Sequence, residues 1–325
     1  MQLNHLLGIE NLSKDELYLI LDNAQKFIEV SQRQIKKVPA LRGKTVVNLF
    51  LTPNQKIPGL KTLASFEIAS KRLSADTITI SESNGYFTDG ESLVDIACAL
   101  QDMAADVLVV SHGDKEGPAF LAKKLEYTSV LNAGDTTHEH PTQALIDCLA
   151  LAEHFEDRAG GIENLRIAVL GDASLSAIGR SNVFAHLLLG NHVTVHQPQN
   201  GSEAGSSGNL EPGWAKHIQY THILEESLSE ADVILALPIN GRALKGEAQH
   251  SNHQLTEEML TRYAPDSVVL CCGPQNGADC IPEELRSSER SLADRQSQYA
   301  VAVRMAVLFL LSTGKKSVDM EASVT

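Results

Sequence analysis

Residues 138–147 run His-Glu-His-Pro-Thr-Gln-Ala-Leu-Ile-Asp. An imidazole, a hydroxyl and a carboxamide, from His140, Thr142 and Gln143, stand at the head of an apolar stretch. A lone histidine at a helix start is most simply satisfied by backbone; its company here makes chemistry the stronger reading. Lys56, Lys61 and Thr62 lie in a loop entering another helix. Free backbone N–H groups and the positive dipole end make such a place a generic anion site, with ordinary surface lysines as the equal alternative. Cys271-Cys272 suggests metal, yet no second pair or histidine at zinc-like spacing accompanies it. No metal site and no cofactor are expected.

These groups need a scaffold. Ser13 with Glu16 three residues on makes a capping box, followed by Leu17, Ile20, Leu21, Ala24, Phe27 and Ile28 on one face, so a first helix starts near Lys14. Short β-branched runs at 45–50, 77–80 and 107–110 alternate with helical stretches around 60–73 and 92–104. A second set of strands falls at 167–170, 193–195, 233–236 and 267–270, after a helix from about Pro141 to His154. Alternation of this kind implies βαβ units around mostly parallel sheets. Ligands then bind beyond the carboxyl ends of strands, which puts the segments after Phe50, Val110, Gly171, Leu237 and Leu270 in charge of function. The stretch from Gly201 to Gly213, rich in Gly and Ser, reads as a surface loop.

The chain has 325 residues, 43% hydrophobic and 21% charged, enough for two domains with buried cores. A net charge of −14 argues against nucleic acid or an anionic membrane as the main partner, because both need a basic face. A small anionic ligand would need a local basic pocket. Five scattered cysteines and an N-terminus without a signal-peptide pattern point to the cytoplasm. The run from Ala300 to Leu311, interrupted by Arg304, is too short for a membrane span of about 20 residues and reads as a buried helix.

His140-Pro141-Thr142-Gln143 at the head of an apolar helix resembles the signature of the aspartate and ornithine carbamoyltransferases, and Asn132-Ala133-Gly134-Asp135 fits the aspartate branch. The resemblance runs from the capped first helix to Ala302-Val303-Arg304-Met305-Ala306-Val307. It implies two doubly wound parallel-sheet α/β domains joined by bridging helices: 1–140 with a C-terminal helix at 294–325, of carbamoyl-phosphate type, and 141–293, of aspartate (amino-acid-binding) type. It further implies that His140 hydrogen-bonds the carbamoyl carbonyl and Gln143 holds the carbamoyl amine, beside Pro141 and Thr142. Lys61 and Thr62 would stand in the phosphate cradle, and the backbone turn at Gly273-Pro274 would touch the amine. A homotrimer is implied as well, with sites at subunit interfaces, or pairing with an active paralogue or another pyrimidine-pathway enzyme.

Departures from the family fall on its charged ligand-binding residues. Asp89 stands where the family has lysine, Ser111 and Ala177 where it has arginine, and Pro238 and Asn240 where it has the arginine and glutamine that hold the aspartate side chain. Lys61 itself replaces an arginine that grips phosphate, a point charge in place of a planar fork. Arg242 lies close enough in sequence to compensate for Pro238 if its loop is rearranged. A hydrogen bond to a charged group is worth about 1.5–3 kcal/mol, so four lost cationic contacts scale to about 6 kcal/mol, or roughly 10⁴ in affinity. Two functions therefore compete. One is a pyrimidine-pathway aspartate carbamoyltransferase homologue with impaired or lost catalysis, serving as a binding or assembly protein; the other is an active carbamoyltransferase that modifies aspartate or a less acidic amine.

Overall fold

The computed structural model describes residues 3–51, 58–81, 92–113, 117–135, 138–171, 176–196, 216–237, 255–272 and 281–314. The chain divides into two compact units, Met1–Thr142 with Ala300–Thr325, and Gln143–Tyr299.

In the first unit β1 (Thr45–Leu51), β2 (Asp76–Ser81), β3 (Val107–His112) and β4 (Ser129–Asp135) form a wholly parallel sheet in the order β2-β1-β3-β4. Val46, Val47, Leu49, Val107, Leu108, Val109 and Val110 are all buried, as expected of strands covered on both faces. Helix α1 (Lys14–Gln32) begins where the capping box places it: Ser13 Oγ accepts from the Glu16 N–H at 3.2 Å, and the Glu16 carboxylate accepts from the Ser13 N–H at 2.9 Å. Helices α2 (Pro58–Arg72), α3 (Leu93–Asp102) and α4 (Gly117–Lys124) connect the strands. Sequential order reverses around β1, so the crevice between the carboxyl ends of β1 and β3 is the natural ligand position, with Ser111 paired to Phe50 and His112 to Leu51.

In the second unit β5 (Arg166–Leu170), β6 (His192–His196), β7 (Ile218–Thr221), β8 (Val233–Ala236) and β9 (Val268–Cys271) make another parallel sheet, ordered β7-β6-β5-β8-β9. One side of its core gathers Ala168, Ile234, Leu260, Val269 and Ile281. Helices α6 (Ala177–Leu188), α7 (Leu224–Leu228), α8 (Glu257–Tyr263) and α9 (Glu283–Arg286) complete the unit. Reversal occurs here between β5 and β8, where Gly171, at φ +110°, lets Leu237 approach so closely that an added Cβ would lie 3.0 Å from the Leu237 Cβ.

Helices α5 (Pro141–His154) and α10 (Ala293–Gly314) each contain a boundary between the units, after Thr142 and after Tyr299. The apolar run at 300–311 lies in α10, and Ala302, Val303, Met305, Ala306, Val307 and Leu308 are buried. Among the described residues no helix is long and apolar enough to cross a membrane. Two strands escape the sequence pattern. Strand β4 ends in Asn-Ala-Gly-Asp, which reads as a turn, and β7 has a single buried residue, Ile218, and no alternation.

Candidate functional site

In the first unit, the segment before α5 is held by three buried polar side chains. Asn132 Nδ2 donates to the carbonyls of Leu7 at 2.9 Å and Glu139 at 3.1 Å, while its Oδ1 accepts from the Gly134 N–H at 3.0 Å. Asp135 Oδ1 accepts from the N–H groups of His138 at 2.5 Å and Glu139 at 3.0 Å. The Glu139 carboxylate accepts from the N–H groups of Ile9 at 2.7 Å and Glu10 at 3.2 Å. So Glu139, inside the ten-residue string, positions backbone.

His140 follows directly, with Nδ1 3.4 Å from Thr142 Oγ1. Gly134, at φ +114°, makes room for the ring; an added Cβ would sit 2.7 Å from His140 Cδ2. Loss of surrounding water, with the Arg304 charge second, lowers the pKa of His140 from its ordinary 6.5 to about 3. At neutral pH the imidazole is therefore uncharged, with one N–H to donate and one nitrogen to accept. Arg304, from α10, is 3% exposed; its Nη1 donates to the Ala300 carbonyl at 3.2 Å and its guanidinium lies 4.9 Å from the Phe66 ring centroid. Among the described residues its Nε has no hydrogen-bond partner and no carboxylate is within ion-pair distance. Burial brings its pKa down to about 9, still a cation at neutral pH.

The anion positions of the same unit are now concrete. Lys61 and Thr62 lie in the first turns of α2, Lys61 exposed and Thr62 buried, and Ser65 Oγ ties back to both of their carbonyls at 2.6 and 2.8 Å. Ser111, at the end of β3, is 7% exposed and donates its hydroxyl proton to the Gly134 carbonyl at 3.1 Å. A serine that uses its one proton on the sheet offers an incoming anion no donor. Asp89 and Lys56 lie outside the described residues.

In the second unit the string continues with Gln143, whose Nε2 donates to Asp147 Oδ1 at 2.8 Å, one helical turn on. Asp147 is fully buried and collects three further donors: Gln296 Nε2 at 2.6 Å, Asn182 Nδ2 at 2.9 Å and Cys272 Sγ at 3.5 Å. Burial raises the Asp147 pKa, and hydrogen bonds from Gln296, Asn182, Gln143 and Cys272 pull it back. Burial first, then the Asp147 charge, pushes the Cys272 thiol well above its usual range, so it keeps its proton and donates. Cys98, Cys148, Cys271 and Cys272 are free thiols. Of this cluster the sequence reading singles out Gln143 and weighs Cys272 for metal, but not Asp147, Asn182 or Gln296. The available signal was a carboxylate within the apolar run Ala144-Leu145-Ile146 and Cys148-Leu149, which can be buried only among donors.

Ala177 opens α6 and is 7% exposed, with Ser176 Oγ capping the helix by accepting from the Gly179 N–H at 3.2 Å. Arg180, one turn along, lies with its guanidinium 5.5 Å from the Phe184 ring centroid, along the helix. Pro238, Asn240, Arg242, Gly273, Pro274 and the stretch 201–213 lie outside the described residues.

Residues 4–153 match the family described as aspartate/ornithine carbamoyltransferase, carbamoyl-P binding domain, and residues 163–311 match the corresponding Asp/Orn binding domain. The aspartate carbamoyltransferase catalytic subunit of Syntrophotalea carbinolica is 38% identical over 322 residues, 97% of each chain. That of Magnetococcus marinus is 38% identical over 321 residues, 95% of this chain and 93% of the relative. Among solved structures, ornithine carbamoyltransferase from Thermus thermophilus superposes with a TM-score of 0.78 at 24% identity, covering 96% of this chain and 99% of that one. The aspartate transcarbamoylase catalytic subunit of M. jannaschii gives 0.78 at 24%, covering 95% and 98%.

Proposed function

Because the chain belongs to the aspartate/ornithine carbamoyltransferase family, its departures at the ligand positions can be weighed one by one, and we propose that it is an aspartate carbamoyltransferase homologue of pyrimidine biosynthesis whose carbamoyl transfer is impaired or lost. In this reading it persists as a binding or assembly protein, as a homotrimer or beside an active relative. The observation that carries the reading is Ser111: its only proton goes to the Gly134 carbonyl, at the strand end where an anion clamp would have to stand. Ala177 adds to it, a buried methyl in place of a cation. Transfer of a carbamoyl group needs both positioning and stabilisation of developing negative charge, and these positions supply neither.

A second reading keeps an active carbamoyltransferase acting on aspartate or a less acidic amine. What favours it is the neutral His140, a donor suited to a carbonyl oxygen, held by the Asn132, Asp135 and Glu139 network, with Gln143 beyond Thr142 in the same string. Lys61 and Thr62 would then serve the phosphate.

Isothermal titration with carbamoyl phosphate at low ionic strength, with inorganic phosphate as control, separates the two. Absence of saturable heat in the micromolar range is the expected result. Micromolar saturable binding would overturn the assembly reading and call for a screen of amine acceptors. Replacing Ser111 and Ala177 by arginine and Asp89 by lysine in one chain should restore phosphate binding if the backbone frame is otherwise intact. Light scattering coupled to size exclusion tests the homotrimer directly.

A further inference from the structure

In the second unit the side chain of Asn191 is oriented by backbone at both of its ends. Its Oδ1 accepts from the Leu165 N–H at 2.8 Å, and its Nδ2 donates to the Ile162 carbonyl at 3.0 Å. A backbone N–H cannot accept and a carbonyl cannot donate, so the carboxamide has one arrangement. The other Nδ2 proton meets His186 Nδ1 at 2.9 Å. That ring nitrogen is therefore the acceptor, and the ring proton sits on Nε2. Nε2 is itself buried and has no hydrogen-bond partner among the described residues.

A second proton on this ring can go only to Nδ1, where it would point at the Asn191 N–H₂. The charged ring would then hold two N–H groups without an acceptor at a fully buried position. Asn191 cannot turn its oxygen toward the ring without giving up Leu165 and Ile162. So the contact breaks. His186 lies in the last turn of α6, where the helix dipole favours a cation, yet burial outweighs that and brings its pKa down to about 4. The charged and titratable groups around this corner are Arg158 and Glu163 in the loop, Arg166 at the start of β5 and His192 at the start of β6. Arg158 spends its guanidinium on the carbonyls of Gly161, Glu163 and Asn164, and Arg166 pairs with Glu230 and Asp232. Burial alone bears on the His186 ring.

The joint gathers three segments. Asn191 follows Gly190, at φ +76°, in the turn that ends α6, with the Asn191 N–H donating to the His186 carbonyl at 2.9 Å and the Gly190 N–H to that of Leu187 at 3.0 Å. The Asn191 side chain ties this helix end to the chain entering β5, and the His192 N–H, opening β6, donates to the Leu165 carbonyl at 2.8 Å.

We infer that the His186–Asn191 contact is an acid-sensitive latch: a proton on His186 releases Asn191 and opens the corner where the end of α6 holds the chain entering β5. It sits at the amino ends of β5 and β6, whereas the ligand positions lie at carboxyl ends, so it stands apart from the proposed function.

The test follows amide hydrogen exchange of the intact chain, expressed as protection relative to the intrinsic rate at each pH. A closed-state pKa below the ordinary value favours the closed corner above about pH 6.5 and withdraws that support as pH falls. With about 6.5 open and about 4 closed, the opening constant should rise about 30-fold from pH 7.5 to pH 5. Protection of the Leu165, Asn191 and His192 amides should fall by that factor. It should also lie about tenfold or more below that of the middle of β5 and β8, which exchange when the whole unit opens. In His186→Gln, whose oxygen can still accept from Asn191, the pH dependence should disappear. Protection that stays flat with pH in the wild type would overturn the latch, as would a slope that persists in His186→Gln. Protection equal to that of the strand centres would show that no local corner opens and would sink the inference as well. Ring-nitrogen spectra of the wild type at pH 7.5 need no variant to fold: they should show the proton on Nε2, and a proton on Nδ1 would remove the basis of the latch.

Discussion

Glu139 and Asp147 are both fully buried carboxylates, eight positions apart in the chain and in different units, and they do opposite work. Glu139 accepts from backbone, the N–H groups of Ile9 and Glu10. Among the described residues, Asp147 accepts from side chains, those of Gln143, Asn182, Cys272 and Gln296. A carboxylate bonded to backbone fixes the path of the chain, and its loss strands donors that cannot move. A carboxylate bonded to side chains ties groups from distant segments to one point, and its loss leaves buried donors to find other partners. The first device holds one stretch of backbone, the second joins α5 to α6, α10 and the residue after β9.

The largest effect should come from breaking the backbone device. Glu139→Ala leaves two N–H groups that were bonded to a charged acceptor, at about 1.5–3 kcal/mol each, so unfolding free energy should fall by about 3 kcal/mol or more. Urea denaturation would show it, with faster hydrogen exchange at Ile9 and Glu10; an unchanged midpoint would mean that water replaces the carboxylate without cost. Gly8→Ala attacks the same contact from the other side, since its Cβ would lie 2.0 Å from Glu139 Oε1.

Gly134→Ala comes next. A left-handed φ and a Cβ 2.7 Å from His140 Cδ2 add backbone strain to a steric clash, and the cost should be about 1–3 kcal/mol. The ¹H–¹⁵N spectrum of the His140 ring should shift with it. A folded variant with an unmoved ring would show that the segment before α5 has slack which the Asn132 and Asp135 network does not suggest.

Acid offers a test that touches both units. His140 in the first unit and His186 in the second are held neutral by burial, with pKa values of about 3 and about 4 against an ordinary 6.5. Between those values and 6.5 the unfolded chain binds protons that the folded chain refuses. Their contribution to stability is thus fully present above about pH 6.5 and is lost as pH falls through that window, by up to about 1.4 kcal/mol per pH unit for each histidine. Asp147 runs the other way: burial raises its pKa, so ionising it costs stability and acid relieves that cost. Denaturation midpoints measured from pH 8 to pH 5 should decline, and the decline should be shallower in His186→Gln.

The strands of β1, β3, β5, β8 and β9 were legible because parallel strands covered on both faces are written as apolar β-branched runs, and α1 because its capping box is local. Strand β4 was not, because its last residues serve the polar network and look like a turn. The same limit applies to the site. His140 and Gln143 are visible in a string of neighbours, whereas Asp147 acquires meaning only when Asn182, Cys272 and Gln296 arrive from three other segments, up to 149 positions away. Arg304 was noticed as an interruption in an apolar run. Its setting over Phe66 and its influence on His140 come from packing that no local spacing encodes.

The smallest expected effect is at Ser111, and it bears most directly on the contrast between groups that hold the fold and groups that face a ligand. If the hydroxyl belongs to the sheet, Ser111→Ala removes one neutral hydrogen bond to the Gly134 carbonyl and should cost about 0.5–1.5 kcal/mol, without altering the response to phosphate. If instead the hydroxyl is a ligand donor, stability should hardly move while phosphate binding weakens. Chemical denaturation and phosphate titration on the same preparation decide between them. A variant that loses both would place Ser111 in the two roles at once, which one proton cannot fill unless the Gly134 carbonyl gives up its donor when the anion arrives.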